Sequence, residues 1–310
     1  MAQSLEILSP HLQHAAQIKV DNASSVITYV GLSKDPAALS NEAKWSIWRI
    51  SQTGNVITAQ NATDLDFDEI WDNRETYFTG LSLTNQYSTY FDGVNDYVDF
   101  GNTFNYDHSN QWSFSVWLKP DNVSTQRTIY SKTTNDANVY GWHIFHNSSG
   151  YLNIQARASG YLFLHTSATL QLTAGVWNHV VFTHSGNSNS NGFKLYLNGV
   201  AGSTPASGAY SSSLLSGQNA ILGRRNTAFE YVGYMDEFTV WNKQLSAGEV
   251  TTLYNLGVPN DPSAQSFAGD LVTYCKMGDG DAYPLILDHA GSNNGTMTNM
   301  SSSNFQLVVP

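Results

Sequence analysis

At 310 residues the chain is long enough for two domains and a sizeable core. Only 13% of residues are charged and 13% are aromatic, with Gly, Ser, Thr and Asn abundant; this excludes a disordered chain and a long-helix protein and suits short strands joined by polar turns. Twenty-five acids against 14 bases give a net charge of −11, which would repel a phosphate backbone, so nucleic-acid binding is not expected.

The N-terminus, MAQSLEILSPHLQHAAQIKV, lacks a basic stretch followed by an apolar one, so no secretory signal is expected. No apolar run approaches membrane-spanning length, and membrane insertion is not expected. Residues 1–80 read as a small, mainly β unit. Trp45, Ile47 and Arg49 alternate with Ser46, Trp48 and Ile50, and Thr53-Gly54-Asn55 supplies a hairpin turn. ETYFTGLS has strand composition, and the weakly charged stretch after it reads as a linker.

From Tyr90 turn signals recur at short intervals, as in a β-sandwich. Trp112, Phe114, Val116 and Leu118 alternate with Ser113, Ser115, Trp117 and Lys119, which predicts a strand with one buried face. Asn147–Gly150 turns the chain into YLNIQARA, with Leu152, Ile154 and Ala156 on one face. WNHVVFTH alternates in the same way. Phe193, Leu195 and Leu197 lead to Asn198-Gly199, a strong hairpin signal. The one clear helix is LSAGEVTTLYNLG, with Ser246 and Glu249 as a capping box and Gly257 as the C-cap. In residues 263–310, LVTYCKM and FQLVVP are strand candidates forming a short β extension.

YFDGVNDYVDFG (Tyr90–Gly101), WSFSVWLKP, GVWNHVVFTHSG, FKLYLNGV and GYMDEFTVWNKQLSAGEVTTLYNLG occur in that order. Together they resemble the laminin-G-like jelly rolls of the concanavalin A-like lectin/glucanase superfamily. The resemblance implies an antiparallel jelly-roll β-sandwich over residues 86–262, an all-β protein overall. CKMGDGDAYPLILDHAGSNNGTMTN is similar to the segment that precedes the FDG strand in such domains, but here it follows the jelly roll. It either packs back on the sandwich or is the remnant of a second unit. The N-terminal string KWSIWRISQTGNVITAQNATDLDFDEIWDNRETY resembles short domains of tailed-bacteriophage virion proteins.

Calcium takes six to eight hard oxygens from carboxylates and loop carbonyls. The FDGVND loop offers Asp92, Asn95 and Asp96, and MDEF offers Asp236 and Glu237. Laminin-G-like domains bring these two blocks together around one ion. The resemblance therefore implies one structural Ca2+, with Asp92 and Asp236 as its leading ligands. The competing reading is that Asp92 and Asp96 form turns with their own backbone.

A glycosidase of this superfamily needs closely paired carboxylates. The nearest string, Asp64-Leu65-Asp66-Phe67-Asp68, lies outside the jelly roll, so no catalytic residue is assigned. His143 and His146, three apart in a strand, fall on opposite faces and read as loop and surface residues rather than ligands. Cys275 is the single cysteine; it allows no intramolecular disulfide, suits a reducing cytoplasm, and reads as a buried, inert thiol. Arg224-Arg225 fits a clamp for carboxylate or phosphate, or more commonly an exposed basic pair. Tyr140, Tyr161, Phe163, Tyr210 and Tyr231 are aromatic candidates for stacking on sugar, although most sandwich aromatics are core.

The two resemblances imply a non-enzymatic bacteriophage structural protein, a capsid decoration, head fibre, or tail or baseplate appendage. It would be made in the host cytoplasm and located on the virion. The N-terminal unit would contact other virion proteins, the protein would form a homo-oligomer, and the lectin-like module would serve adhesion to host-surface glycan or particle stabilisation. The alternatives are a bacterial carbohydrate-binding or adhesion protein and a glycoside hydrolase.

Overall fold

A computed structural model describes the backbone of residues 17–21, 27–33, 43–53, 56–61 and 69–70, and residues 85–134, 140–158, 161–206, 208–209, 212–225 and 229–310. The chain divides into two compact units, Met1–Thr84 and Asn85–Pro310.

The first unit contains β1 (Gln17–Asp21), β2 (Ile27–Ser33), β3 (Ala43–Thr53), β4 (Val56–Asn61) and β5 (Glu69–Ile70). They form an antiparallel sheet in the order β1-β2-β3-β4, with β5 also on β3. Thr53 pairs with Val56, closing the expected hairpin. The ETYFTGLS stretch and Asp64, Asp66 and Asp68 lie outside the described residues.

The second unit runs through β6 (Ser88–Asp92), β7 (Tyr97–Asp99), β8 (Gln111–Pro120), β9 (Arg127–Thr133), β10 (Gly141–His146), β11 (Tyr151–Ala158) and β12 (Tyr161–Gln171). It continues with β13 (Asn178–Ser185), β14 (Phe193–Leu197), β15 (Val200–Ala201), β16 (Ile221–Leu222) and β17 (Val232–Trp241). Helix α1 (Ala247–Tyr254) precedes β18 (Leu271–Cys275), β19 (Leu285–Ile286), β20 (Gly295–Thr298) and β21 (Phe305–Gln306). Sheet I has the order β15-β14-β13-β8-β17-β6-β21, with β18 also on β17; sheet II has the order β12-β11-β10-β9-β16-β7-β20-β19. Sequence-distant neighbours inside two facing antiparallel sheets make this a jelly-roll sandwich.

Alternation builds the core between the sheets. Trp112, Phe114, Val116 and Leu118 of β8 meet Trp142 and Ile144 of β10 and Leu152, Ile154 and Ala156 of β11, all at most 1% exposed. Trp112 packs on Trp142 with ring centroids 4.5 Å apart. Burying a large apolar side chain stabilises by about 1.5–3 kcal/mol, so this layer dominates stability. Gly93 takes φ 75 in the β6–β7 turn, and a Cβ there would lie 2.8 Å from Val232 Cβ, so both backbone conformation and space call for glycine.

Two local expectations change in the structure. β8 is buried on both faces, because α1 and the chain after it cover the outer face of sheet I. Val181, Tyr196, Trp241, Leu245, Val250 and Leu253 form a second apolar cluster there. α1 starts at the Ser246–Glu249 capping box but ends earlier than expected: Asn255 at φ 43 takes the left-handed position assigned to Gly257. The C-terminal strands pair into both sheets, β18 with β17, β20 with β7 and β21 with β6. Among the described residues no helix is long and apolar enough to cross a membrane.

Candidate binding face

The outer face of sheet II follows from the same alternation. With Trp142, Ile144, Ile154 and Ala156 turned inward, His143, Phe145, Asn153, Gln155 and Arg157 belong to the other side. Register sets them in rows: His143 lies between Ser131 and Gln155, and Asn153 between Phe145 and Thr166. His143 stacks on Phe145 at 4.8 Å, and Thr166 Oγ1 donates to Asn153 Oδ1.

The segment leaving β16 adds two guanidinium groups. Arg224 lies 3.7 Å over the Tyr97 ring, and its carbonyl accepts from Ser131 Oγ at 2.7 Å. Arg225 lies 4.6 Å from the Phe229 ring centroid, and its Nη1 donates to His143 Nε2 at 3.1 Å. That bond puts the His143 proton on Nδ1. Burial, reinforced by the Arg225 charge, pushes the His143 pKa down to about 3, so the ring stays neutral. His143 and His146 are buried, at 1% and 0% exposure, which corrects the surface reading; Arg225 and Phe145 pack on His143. Arg224 and Arg225 are half-buried rather than an exposed pair. Guanidinium planes, aromatic rings and amide side chains together suit a polar ligand with apolar faces.

The expected calcium residues occupy separate places. Asp92 ends β6 opposite Val232, whereas Asp236 lies four residues further along β17, about 13 Å away along the strand. Asp92 Oδ1 accepts from the backbone of Val94 at 2.8 Å and Asn95 at 3.4 Å. Asp96 Oδ2 accepts from Asp92 N at 3.0 Å and Asn304 Nδ2 at 3.1 Å, and the Asn95 carbonyl accepts from Asn299 Nδ2. These loop oxygens bind the loop's own backbone and the side chains of Asn299 and Asn304, which flank β20 and β21. Asp92, Asn95 and Asp96 thus share one loop, and Asp236 stands apart from them. Among the described residues no three His, Cys, Asp or Glu side chains group as metal ligands do.

Asp236 and Glu237 instead occupy a bulge in β17 where its partner edge passes from β6 to β18. Burial raises both carboxyl pKa values, that of Glu237 to about 7, and Tyr274 Oη donates to Glu237 Oε2 at 2.6 Å. Nearby, Ser115 Oγ and His179 Nε2 are hydrogen-bonded at 2.8 Å. His179 is stacked on Trp117 and Tyr254, and burial pushes its pKa down to about 3. Ser115, Trp117, His179 and Glu237 line a cavity of about 10 Å³, room for about one water. The pairing joins residues 64 apart and left no local sequence signal.

Phe163 and Tyr231 are core residues, and Tyr140 is half-buried. Tyr210 and the Tyr161 side chain lie outside the described residues. Cys275 is buried, and burial raises its thiol pKa.

A family profile described as the concanavalin A-like lectin/glucanases superfamily matches residues 92–251. No curated protein sequence matches the chain. Among solved structures, a "putative carbohydrate binding protein" from Bacteroides ovatus is 16% identical with a TM-score of 0.51, covering 99% of this chain and 85% of that one. A heptameric SAP-like pentraxin from Limulus polyphemus is 17% identical with a TM-score of 0.42, covering 55% and 82%. The Ruminococcus gnavus IT-sialidase CBM40 bound to α2,3-sialyllactose is 17% identical with a TM-score of 0.40, covering 47% and 83%. At these identities the likeness is one of fold. Profile, strand order and two-layer core together place the chain in the concanavalin A-like lectin/glucanase superfamily.

Proposed function

We propose that the chain is a non-enzymatic glycan-binding protein whose jelly roll presents the outer face of sheet II to sugar. The arrangement of Tyr97, Arg224, Arg225, His143 and Phe229 carries this reading, because rings and fixed donors side by side suit the apolar faces and hydroxyls of a sugar. The lectin-like fold and the name of the Bacteroides ovatus structure agree with it. Of the two Ser–His pairs among the described residues of the jelly roll, His108–Ser188 and Ser115–His179, the second is buried with its ring against Tyr254 of α1, which favours binding over turnover. A glycan array probed with the full chain tests the reading. Binding to a defined set of sugars without their cleavage is expected; an array with no signal, or hydrolysis of the bound sugar, overturns it.

We further propose that the module is displayed on a bacteriophage particle, through contacts of residues 1–80 with other virion proteins and as a homo-oligomer. The F-D-E-I-W-D-N-R-E-T-Y string and the W-S-I-W-R-I strand support this reading. Mass spectrometry of purified particles is expected to find the chain in stoichiometric amounts; particles lacking it refute the reading.

A further inference from the structure

Arg225 is a half-buried cation on the sheet II face, in a chain whose net charge is −11. Among the described residues its side-chain contacts on that face are with neutral groups, His143 Nε2 and the ring of Phe229. Ion pairs among the described residues join Lys243 to Glu249 and Asp270, and none reaches Arg224 or Arg225. The carboxylate that β7 places on this face, Asp99, accepts from Gly101 N and Asn219 Nδ2 instead. Burial without a counter-charge disfavours the charged form, as the lowered Arg225 pKa reflects. An anion brought to this point would offset that cost.

The surroundings also hold the guanidinium in place. One N–H is fixed on His143 Nε2, and the ring of Phe229 lies along the group. Because His143 stays neutral, it remains an acceptor across the physiological range and does not compete for an anion. Phe229 is held at φ 61 with 36% of its surface exposed, a backbone conformation that is unfavourable for an aromatic residue. Strain of this kind persists where surrounding structure enforces it, and it leaves an aromatic edge at the surface beside the cation. Arg224 on Tyr97 repeats the pair of guanidinium and ring on the other side of Ser131. A pre-oriented planar fork matches a carboxylate in two parallel hydrogen bonds.

We propose that this face binds an acidic sugar, with Arg225 taking the sugar carboxylate and Phe229 packing on the sugar ring. The proposal rests on the glycan-binding reading and narrows it to one chemical class.

The test is calorimetric titration of the full chain with a glucuronic-acid-terminated oligosaccharide, its carboxyl methyl ester, and a neutral sugar identified on the array. The acid should bind about ten- to a hundredfold tighter than its ester, the range of a charged hydrogen bond. In Arg225→Gln the ratio of acid to ester affinity should fall to about one. The ester comparison alters only the ligand, so it decides the matter even where that variant folds poorly. Equal binding of acid and ester, or a ratio that survives Arg225→Gln, overturns the proposal. Binding of the neutral sugar alone overturns it while leaving the glycan reading intact. A 6-sulfated neutral sugar that matches the acid overturns the choice of carboxylate. Binding of none removes both readings.

Discussion

Replacing Glu237 with Gln exchanges a buried carboxyl for a neutral group of the same shape. Glu237 is 6% exposed in the β17 bulge, at φ 51, and accepts from Tyr274 Oη. Burial raises its pKa, against the opposing pull of Tyr274 and Lys276, from 4.5 to about 7. The folded protein therefore keeps a proton that the unfolded chain releases. The resulting stabilisation is complete below about pH 4.5 and is lost as pH rises through about 7. A rise from 4.5 to about 7 corresponds to about 3 kcal/mol between those limits. Gln keeps an oxygen acceptor for Tyr274 and cannot ionise. Urea unfolding of the full chain, followed by tryptophan fluorescence, reads the effect. Between about pH 4.5 and pH 8 the wild type should lose about 2–3 kcal/mol more stability than Glu237→Gln. His143, His179 and His184, whose pKa values burial lowers, oppose folding on the acid side, but they are common to both proteins and cancel in the difference. A stability difference that is the same at both pH values refutes the reasoning.

Ser246→Ala removes the side-chain acceptor for Glu249 N and half of the capping box, and should cost about 1 kcal/mol by urea unfolding. Trp142→Ala empties a site packed against the rings of Trp112 and Tyr130 and should cost about 3–5 kcal/mol, lowering the unfolding midpoint correspondingly. Since Asp236 stands apart from Asp92, Asn95 and Asp96, exchanging calcium for EDTA should leave the melting temperature within about 1 °C; a larger fall would show a site of linked affinity.

The sequence by itself determined the features that depend on near neighbours. Period-two alternation marked β8, β11, β13 and β14 as strands, Asn198-Gly199 and Asn147–Gly150 marked their turns, and Ser246 with Glu249 marked the start of α1. Those are properties of a few consecutive residues, set by side-chain direction and turn chemistry. The ordered blocks from Tyr90 to Gly257 carried the fold class for the same reason.

Only the tertiary structure decided which strand lies beside which, and the site follows from that. The β6–β17 register keeps Asp92 and Asp236 apart although their blocks invite pairing. The β8–β13 register brings Ser115 to His179, and α1 then buries them. Arg225 meets His143 across 82 residues, turning a basic dipeptide and an apparently exposed histidine into one cluster. The burial of a polar group depends on what the rest of the chain lays over it, and its partner is chosen by strand pairing between distant segments. Neither is encoded in local periodicity, which is why the shape was legible in the sequence and the face proposed for binding was not.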